Sequence, residues 1–250
     1  MPHTIQVFEE RDVAVVRIDR VEKLNALTQG MRVQIAEHIR AFGVAGASRG
    51  IVITGTGPAF SAGEDLREAG VQGQAELMQA VETFHDITRA ILESEVPVIA
   101  AVNGLAVGGA SEVAMSCDAR VGTAQSAFML PENRIGLTIS NGSSMFLRRL
   151  LGQAARRLVL ESPRVEADEA LAIGLLDTIV AEADLVGAAV DLAHRWNPEG
   201  SATSQHLRLL RPTLAEFEAA VARENVVAAE AWEKGIIQAG LERFWASKAQ

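Results

Sequence analysis

The sequence predicts an α/β fold, and three features of the chain support this class. Short β-branched segments at residues 51–54 and 98–102 each lead into a glycine-containing turn. Between them, residues 77–91 keep the periodicity of one buried helix face. The resulting order of strand, turn, helix and strand is typical of domains in which helices cover a sheet.

The chain is predicted to begin with a hairpin followed by an amphipathic helix. Residues 4–8 and 13–18 are β-branched runs separated by a polar stretch, which is typical of two strands at the edge of a sheet. Thr28 is a favourable N-cap for the helix. The positions that follow it recur every three or four residues on one face: Met31, Ile35, Ile39 and Phe42.

From about residue 166 onward the pattern is helical, apart from a short β-like stretch at 176–180. Gly174 is a candidate residue after a helix C-terminus, and Pro198 and Pro212 separate later helices. We therefore divide the chain into a main domain, residues 1–195, and a helical region, residues 196–250. Apolar positions of this tail would need a partner surface, which another subunit could supply: Leu214, Phe217, Val221, Trp232, Ile236 and Phe244.

Composition restricts the class of protein. The chain has 250 residues, of which 48% are hydrophobic, so it is long enough for one well-buried domain. Neither a signal peptide nor a membrane-spanning run is evident, and we expect a cytoplasmic protein. The net charge of −9 disfavours binding to nucleic acid or to anionic membranes.

The sequence predicts no metal site and no bound cofactor. Cys117 is the single cysteine and lies in an apolar stretch, so we interpret it as a packing residue. Ser48 lies in a G-x-S-x-G match, but this match precedes a strand, whereas a nucleophile elbow must follow one. The histidines show no metal-ligand spacing: His3, His38, His85, His194 and His206.

Three glycine-containing stretches, residues 55–66, 103–112 and 135–144, follow strand-like or turn-like segments. Each could present backbone N–H groups to a ligand, because glycine permits close approach. For any one of them alone, a tight turn without a function is the favoured interpretation. Nucleotide-binding glycine motifs are absent from the sequence.

Two glutamates are candidates for chemistry. Glu112 is the one charged residue between 96 and 117, and a buried carboxylate usually has a partner or a task. A first-turn glutamate that faces a helix dipole explains it as well. Glu132 follows Pro131 and also fits the first turn of a helix.

Four segments of the chain together resemble the enoyl-CoA hydratase/isomerase, or crotonase, superfamily. They are residues 20–27, 57–66, 97–118 and 128–137, and the resemblance extends over about 13–180. It implies a crotonase-like (ClpP/crotonase) spiral of ββα turns with a helical C-terminal region that forms a trimer or a dimer of trimers. It also implies an acyl-CoA substrate, with coenzyme A entering as part of that substrate.

The resemblance assigns an oxyanion hole to the backbone N–H groups of Glu64 and Gly109. Two preorganised donors would stabilise the thioester oxygen as it becomes an enolate, and loss of one typically costs about 3 kcal/mol of barrier. Other residues resemble family positions along the coenzyme A path: Lys23, Leu24, Ala26, Ala62, Asp65 and Leu66.

The family's two catalytic glutamates correspond to Glu112 and Glu132, which implies hydration of a 2-enoyl-CoA. Glu112 would orient and activate water, and Glu132 would exchange a proton with Cα. Such exchange needs a protonated carboxyl, so we expect the pKa of Glu132 to be raised toward about 6 by its apolar setting.

Two departures from the family pattern affect these expectations. Residues 138–144 lack the usual proline and glycine-rich turn at the acyl pocket, so the sequence leaves the acyl group open. Glu64 stands where small residues are frequent, and we expect its side chain to point outward, since only its N–H is required. Isomerase or thioester hydrolase chemistry, or a non-catalytic scaffold that binds CoA esters, are the alternatives.

Overall fold

The computed structural model describes residues 4–65 and 73–248. Within these ranges the strands form a six-stranded sheet in the order β1-β2-β3-β5-β7-β10 and a four-stranded sheet in the order β4-β6-β8-β9. The strands are β1 (Ile5–Glu10), β2 (Val13–Ile18), β3 (Ile51–Gly55), β4 (Ala59–Ser61), β5 (Val98–Val102), β6 (Leu105–Val107), β7 (Ala119–Gly122), β8 (Ala127–Met129), β9 (Val165–Glu166) and β10 (Thr178–Ile179).

Helices surround these sheets and make up most of the C-terminal part. The α-helices are α1 (Gln29–Phe42), α2 (Gln74–Glu93), α3 (Gly109–Ser116), α4 (Ser143–Leu151), α5 (Ala154–Glu161), α6 (Ala167–Ala172), α7 (Leu185–Trp196), α8 (Thr203–Leu210), α9 (Leu214–Glu233) and α10 (Ile236–Lys248). Short 3₁₀ helices span Val21–Lys23, Glu132–Ile135 and Glu182–Asp184.

The chain alternates between the two sheets as it advances. Strands β3, β5 and β7 run parallel in the larger sheet, and each is followed by β4, β6 or β8 in the smaller sheet. A helix follows the first two of these pairs, namely α2 and α3. This repeated order confirms the α/β class and is the spiral of ββα turns that the resemblance implies.

The hairpin and first helix form as the sequence predicts. Strands β1 and β2 pair antiparallel, and the turn between them places Arg11 and Asp12 in the left-handed region. Thr28 caps α1, because its hydroxyl accepts a hydrogen bond from the N–H of Met31. Met31, Ile35 and Ile39 are buried under the sheet.

The larger sheet is buried on both faces. Successive residues of a strand point to opposite faces, so Val16 on β2 joins the main core between the sheets, whereas Val15 packs on the other face. Helix α7 covers that second face with Ala189 and Val190. These two layers hold the strand ends, and therefore the loops after them, in fixed positions.

The C-terminal helices bury part of their apolar surface within the chain itself. Phe217 and Val221 on α9 pack against Met145 and Phe146 on α4. The partner surface that Phe217 and Val221 need is therefore supplied by this chain and not by another subunit. Leu214 remains exposed, and so do other apolar side chains of this region: Leu209, Leu210, Val226 and Ile236. The division at residue 195 stays a prediction.

Two interpretations of single residues are confirmed. Cys117 is buried and donates a weak hydrogen bond to the carbonyl of Val113, and burial raises the pKa of its thiol to about 12. Ser48 lies in the turn before β3, where its hydroxyl bonds main-chain groups rather than facing a cleft. Across the described residues, no helix combines the length and hydrophobicity that a bilayer crossing requires.

Candidate active site

The ends of β4 and β6 bring two glycine turns into contact. These strands pair parallel, so the segments that follow them, Ala62 to Glu64 and Val107 to Gly109, leave the same sheet edge. A Cβ atom on Gly63 would lie 2.5 Å from the carbonyl oxygen of Val107 and 3.7 Å from the nitrogen of Gly109. Gly63 also has a φ of 84°, so both space and backbone conformation require glycine.

The N–H of Glu64 is directed by a short parallel bridge with Leu27. Leu27 donates to the carbonyl of Gly63 and accepts from the N–H of Asp65. In such a ladder the residue between these two bonds turns its own N–H to the opposite side. The N–H of Glu64 therefore points away from Leu27.

Gly109 is the first residue of α3, and its amide lies at the helix N-terminus, where backbone N–H groups lack partners within the helix. A Cβ atom at this position would come within 2.7 Å of the Phe84 ring on α2. The close approach of α2 and α3 therefore admits only glycine here. The Gly109 nitrogen lies beside the turn that contains Gly63 and Glu64.

Glu112 lies one turn further along α3 and is 1% exposed. Its Oε1 accepts the backbone N–H of Ser140 and its Oε2 accepts the Ser140 hydroxyl, each at 2.9 Å. Burial raises the pKa of Glu112 well above its usual range, and the negative charge of Glu132 raises it further. The Ser140 bonds oppose this shift without cancelling it.

Glu132 begins the 3₁₀ helix after Pro131 and is 9% exposed. Its Oε1 would lie 2.8 Å from a Cβ atom on Gly108, so the absence of a side chain there makes room for the carboxyl. Burial raises the pKa of Glu132 to about 7, which agrees in direction with the sequence expectation. Its Oε2 has no hydrogen-bond partner among the described residues.

One cavity of about 200 Å³ joins these groups. Glu64, Gly109, Glu112 and Glu132 all line it, as does Ser140. The remaining wall is mostly apolar and comes from α2, the loop before α4 and the C-terminal helices: Leu77, Met78, Val81, Phe84, Leu137, Ile139, Ala228, Ile237 and Phe244. The structure therefore brings together the two predicted glutamates and the two predicted amides.

The sequence matches the family described as "Enoyl-CoA hydratase/isomerase" over residues 9–245, which is nearly the whole chain. The chain belongs to the enoyl-CoA hydratase/isomerase family. A probable enoyl-CoA hydratase of Rhodobacter capsulatus is 33% identical over 195 residues, covering 78% of this chain and 72% of that protein. The short-chain-enoyl-CoA hydratase of Clostridium acetobutylicum is 34% identical over 189 residues, covering 75% and 72%.

Solved structures share the fold of this family member. The crystal structure of an enoyl-CoA hydratase/isomerase from Pseudoalteromonas atlantica T6c gives a TM-score of 0.86 at 26% identity, covering 98% of this chain and 97% of that chain. The structure of Pseudomonas aeruginosa OdaA gives 0.86 at 30% identity, covering 97% and 98%. The likeness extends through the C-terminal helices as well as the spiral.

The side chain of Glu64 does not point outward as expected. It is 14% exposed, and its Oε1 lies 3.6 Å from Arg32 on α1. Arg32 is itself buried between the carbonyl of Leu27 and the ring of Phe84. In this family member a cation from α1 therefore offsets the charge of the unusual glutamate.

The described residues that are predicted to lie along the coenzyme A path are near one another, and among them Ala62 borders the cavity that holds the two glutamates. Ala62 donates its N–H to the carbonyl of Leu24, which is half exposed at a φ of 49°. Lys23 is exposed, and Ala26 donates to its carbonyl. Asp65 pairs with Arg20 at 2.7 Å. Leu66 lies outside the described residues.

Sequence reasoning missed three polar residues of this site. Ser140 and Glu224 line the cavity, and Asn25 ties the loop before α1 to the carbonyls of Thr56 and Ala59. Asn25 has a φ of 58°, and asparagine is one of the few residues that adopts this conformation readily. The Asn-Gly pair after Ser140 was a signal for a tight turn. Glu224 gave no local signal.

The carboxylates of the site are not arranged as metal ligands. Within residues 4–65 and 73–248, no group of three or more histidine, cysteine, aspartate or glutamate side chains could hold a metal ion.

Proposed function

We propose that this protein is an enoyl-CoA hydratase that adds water across the double bond of a 2-enoyl-CoA thioester. The observation that carries the proposal is the convergence of Glu112 and Glu132 on one cavity beside the amides of Glu64 and Gly109. Relatives named enoyl-CoA or crotonyl-CoA hydratase at about one third identity support the same activity.

The two amides would bind the thioester carbonyl oxygen. Electron density moves onto this oxygen as water adds at Cβ, and N–H groups fixed by the fold stabilise it without reorganising. The Glu64 amide is fixed by the bridge to Leu27, and the Gly109 amide by the contact of α2 with α3. The thioester carbon would then lie between them and the carboxyls.

The glutamates would divide the transfer of one water molecule. Glu112 accepts a proton as the water oxygen bonds to Cβ, and Glu132 donates a proton to Cα, so the double bond becomes a C–H and a C–OH bond. Burial raises the pKa of both carboxyls in one site, and two neighbouring carboxyls favour sharing a single proton. That state has the acid and the base that hydration needs.

The acyl group of the proposed substrate is apolar and uncharged. Leucine, methionine, valine and isoleucine side chains surround the space beyond the carboxyls, and apolar walls favour an alkyl chain. The charged groups among the described lining residues are all glutamates: Glu64, Glu112, Glu132 and Glu224. A carboxylate on the acyl group would be repelled there.

We further propose that the protein assembles as a trimer or a dimer of trimers. It would act in the cytoplasm on acyl-CoA intermediates of fatty acid metabolism. Support for self-association comes from the exposed apolar side chains of Leu209, Leu210 and Val226 on the C-terminal helices. Light scattering of the purified protein measures the assembly directly.

The activity is tested with a panel of 2-enoyl-CoA esters that differ in chain length and include one carboxylated acyl group. We expect hydration of the uncharged esters, and a loss of about 100-fold or more in kcat for Glu112→Gln and for Glu132→Gln, because each removes one proton-transfer group. Loss of the enoyl absorbance measures the reaction. The exposed Glu9→Gln, far from the cavity, is the matched control.

The same assay separates the competing activities. Migration of the double bond that survives Glu112→Gln but not Glu132→Gln would show an isomerase, and release of free coenzyme A would show a thioester hydrolase. Binding of the esters without any turnover would show a scaffold. Hydration unaffected by both glutamine substitutions would contradict the assigned mechanism.

A further inference from the structure

Helix α4 is capped by a residue from a distant helix. Its N-cap is Gly142, which has no side chain to accept the first free N–H groups. Glu224 on α9 takes this place: its Oε2 accepts the N–H of Gly142 at 2.8 Å and its Oε1 accepts the N–H of Ser144 at 2.7 Å. The Glu224 side chain is buried, with 6% of the residue exposed.

Helix α9 also supports the turn that precedes α4. Ser143 donates its N–H to the carbonyl of Ser140, and the two residues between them, Asn141 and Gly142, have φ angles of 57° and 68°. Tight turns with two left-handed central residues favour Asn-Gly. A Cβ atom on Gly142 would lie 2.6 Å from the Phe217 ring of α9, so α9 packs directly on this turn.

The turn reaches the candidate catalytic base. Its first residue, Ser140, gives both its N–H and its hydroxyl to the two carboxyl oxygens of Glu112. Both bonds therefore set the plane in which the Glu112 carboxyl meets a water molecule. Hydrogen bonds at each end of this turn, joined by its main chain, therefore connect Glu224 to Glu112.

We propose that Glu224 is a positioning residue, which holds the turn at residues 140–143 so that Ser140 fixes the direction of the Glu112 carboxyl. Its effect on turnover rests on the proposed hydratase function, whereas its effect on the turn does not. Glu224 also lines the cavity, and its negative charge adds to the causes that raise the pKa of Glu112.

The kinetic test compares Glu224→Gln and Glu224→Ala with the wild type. Glutamine keeps one acceptor and turns an NH₂ group toward the second N–H, whereas alanine removes both acceptors. We expect kcat to fall about 10-fold for glutamine and about 100-fold for alanine, because small misplacements of a catalytic group cost this much. KM for an uncharged ester should stay within about 2-fold, because the proposed role of Glu224 is to orient Glu112 and not to bind an uncharged acyl group. Unchanged kcat in folded variants would overturn the proposal.

Glu233→Ala is the matched control, because this exposed glutamate lies on the same helix. A double variant then distinguishes positioning from general destabilisation. When Glu112 is already glutamine, its direction no longer matters, so adding Glu224→Gln should cost less than about 2-fold further in residual kcat. A full additional loss would show that Glu224 acts by another route.

Hydrogen exchange gives a readout that needs no turnover. The Gly142, Ser143 and Ser144 amides should exchange at least about 10-fold faster in Glu224→Gln than in the wild type or in Glu233→Ala, because their hydrogen bonds weaken or open more often. If the wild type has no hydratase activity but the variant still exchanges faster, the proposed function is refuted and the positioning contact is supported. Equal exchange in all three proteins would refute the positioning itself.

Discussion

Glu112 and Glu132 are buried carboxyls whose protonation is linked to the stability of the fold. Burial raises the pKa of both groups, to about 7 for Glu132. A carboxyl with a raised pKa binds protons in the folded state at pH values where the unfolded chain has released them. The folded state is therefore penalised as pH rises, and this penalty is the stability cost of a site suited to proton transfer.

The sign of this linkage predicts how Glu132→Gln changes stability. Below the unfolded pKa, near 4.5, both states are protonated and the carboxyl costs little. Between about pH 4.5 and 7 only the unfolded state has released its proton, so the folded state loses stability across this range, and the loss is complete above about pH 7. Glutamine cannot ionise. We expect the variant to match the wild type near pH 4.5 and to exceed it at pH 8 by a few kcal/mol, on the order expected for such a shift.

Urea denaturation at the two pH values measures this difference in the free energy of unfolding. Glu9→Gln, which replaces an exposed glutamate, should show no such dependence on pH. A stability gain of equal size at both pH values would contradict the raised pKa, because it would show that the carboxyl costs the same in either protonation state.

How far single residues could be predicted depends on how local their partners are. Glu112, Glu132 and Gly109 lie in short segments whose order along the chain carries the signal. The partner of Glu64 is Arg32 on α1, and the partner of Ser144 is Glu224, 80 residues away. Such contacts depend on how helices pack, which a linear pattern does not encode.

Helices α2 and α3 approach so closely at Gly109 that a side chain there would shift the amide of the proposed oxyanion hole. We expect Gly109→Ala to move the start of α3 or the Phe84 ring, because a Cβ atom would lie 2.7 Å from that ring. Stability should fall by about 1 to 3 kcal/mol from overpacking, and kcat by about 10-fold or more. Thermal denaturation and the hydration assay measure both effects.

Gly30→Ala provides the control, because a Cβ atom on this helical glycine of α1 would meet nothing within 4 Å. It should be neutral or stabilise by up to about 1 kcal/mol. Adding Phe84→Leu to Gly109→Ala should recover part of the lost stability by removing the contacting ring atoms. If the double variant is as unstable as the sum of the two single changes, the ring contact is not the cause.

Helices and long strands were predictable, whereas the smaller sheet was not. The strands β2, β3 and β5 are rich in β-branched and apolar residues, and α1 and α2 have a clear period. Strands β4, β6 and β8 have three residues each, which is too short for any alternation to show. The glycine-containing segments that follow β4 and β6 carry the predicted amides of Glu64 and Gly109.

The C-terminal helices pack against helices of the spiral and share buried clusters with them. Helix α9 buries Phe217 against α4, and α10 buries Ile237 beside Leu77 of α2. The active-site cavity draws part of its wall from both helices. The predicted boundary at residue 195 therefore marks a change in sequence pattern. The residues on its two sides still pack against each other.

The positions of the tryptophans allow this unity to be tested. Trp196, Trp232 and Trp245 are the three tryptophans of the sequence, and all lie at or after the end of α7. Their fluorescence reports the C-terminal helices, whereas far-UV circular dichroism reports the whole chain. We expect urea transitions followed by the two probes to coincide, because loss of the α9 contacts would expose the core at α4.

Measuring at two protein concentrations identifies any step that is dissociation of subunits. A fluorescence transition complete before most of the dichroism is lost would show instead that residues 196–250 unfold on their own.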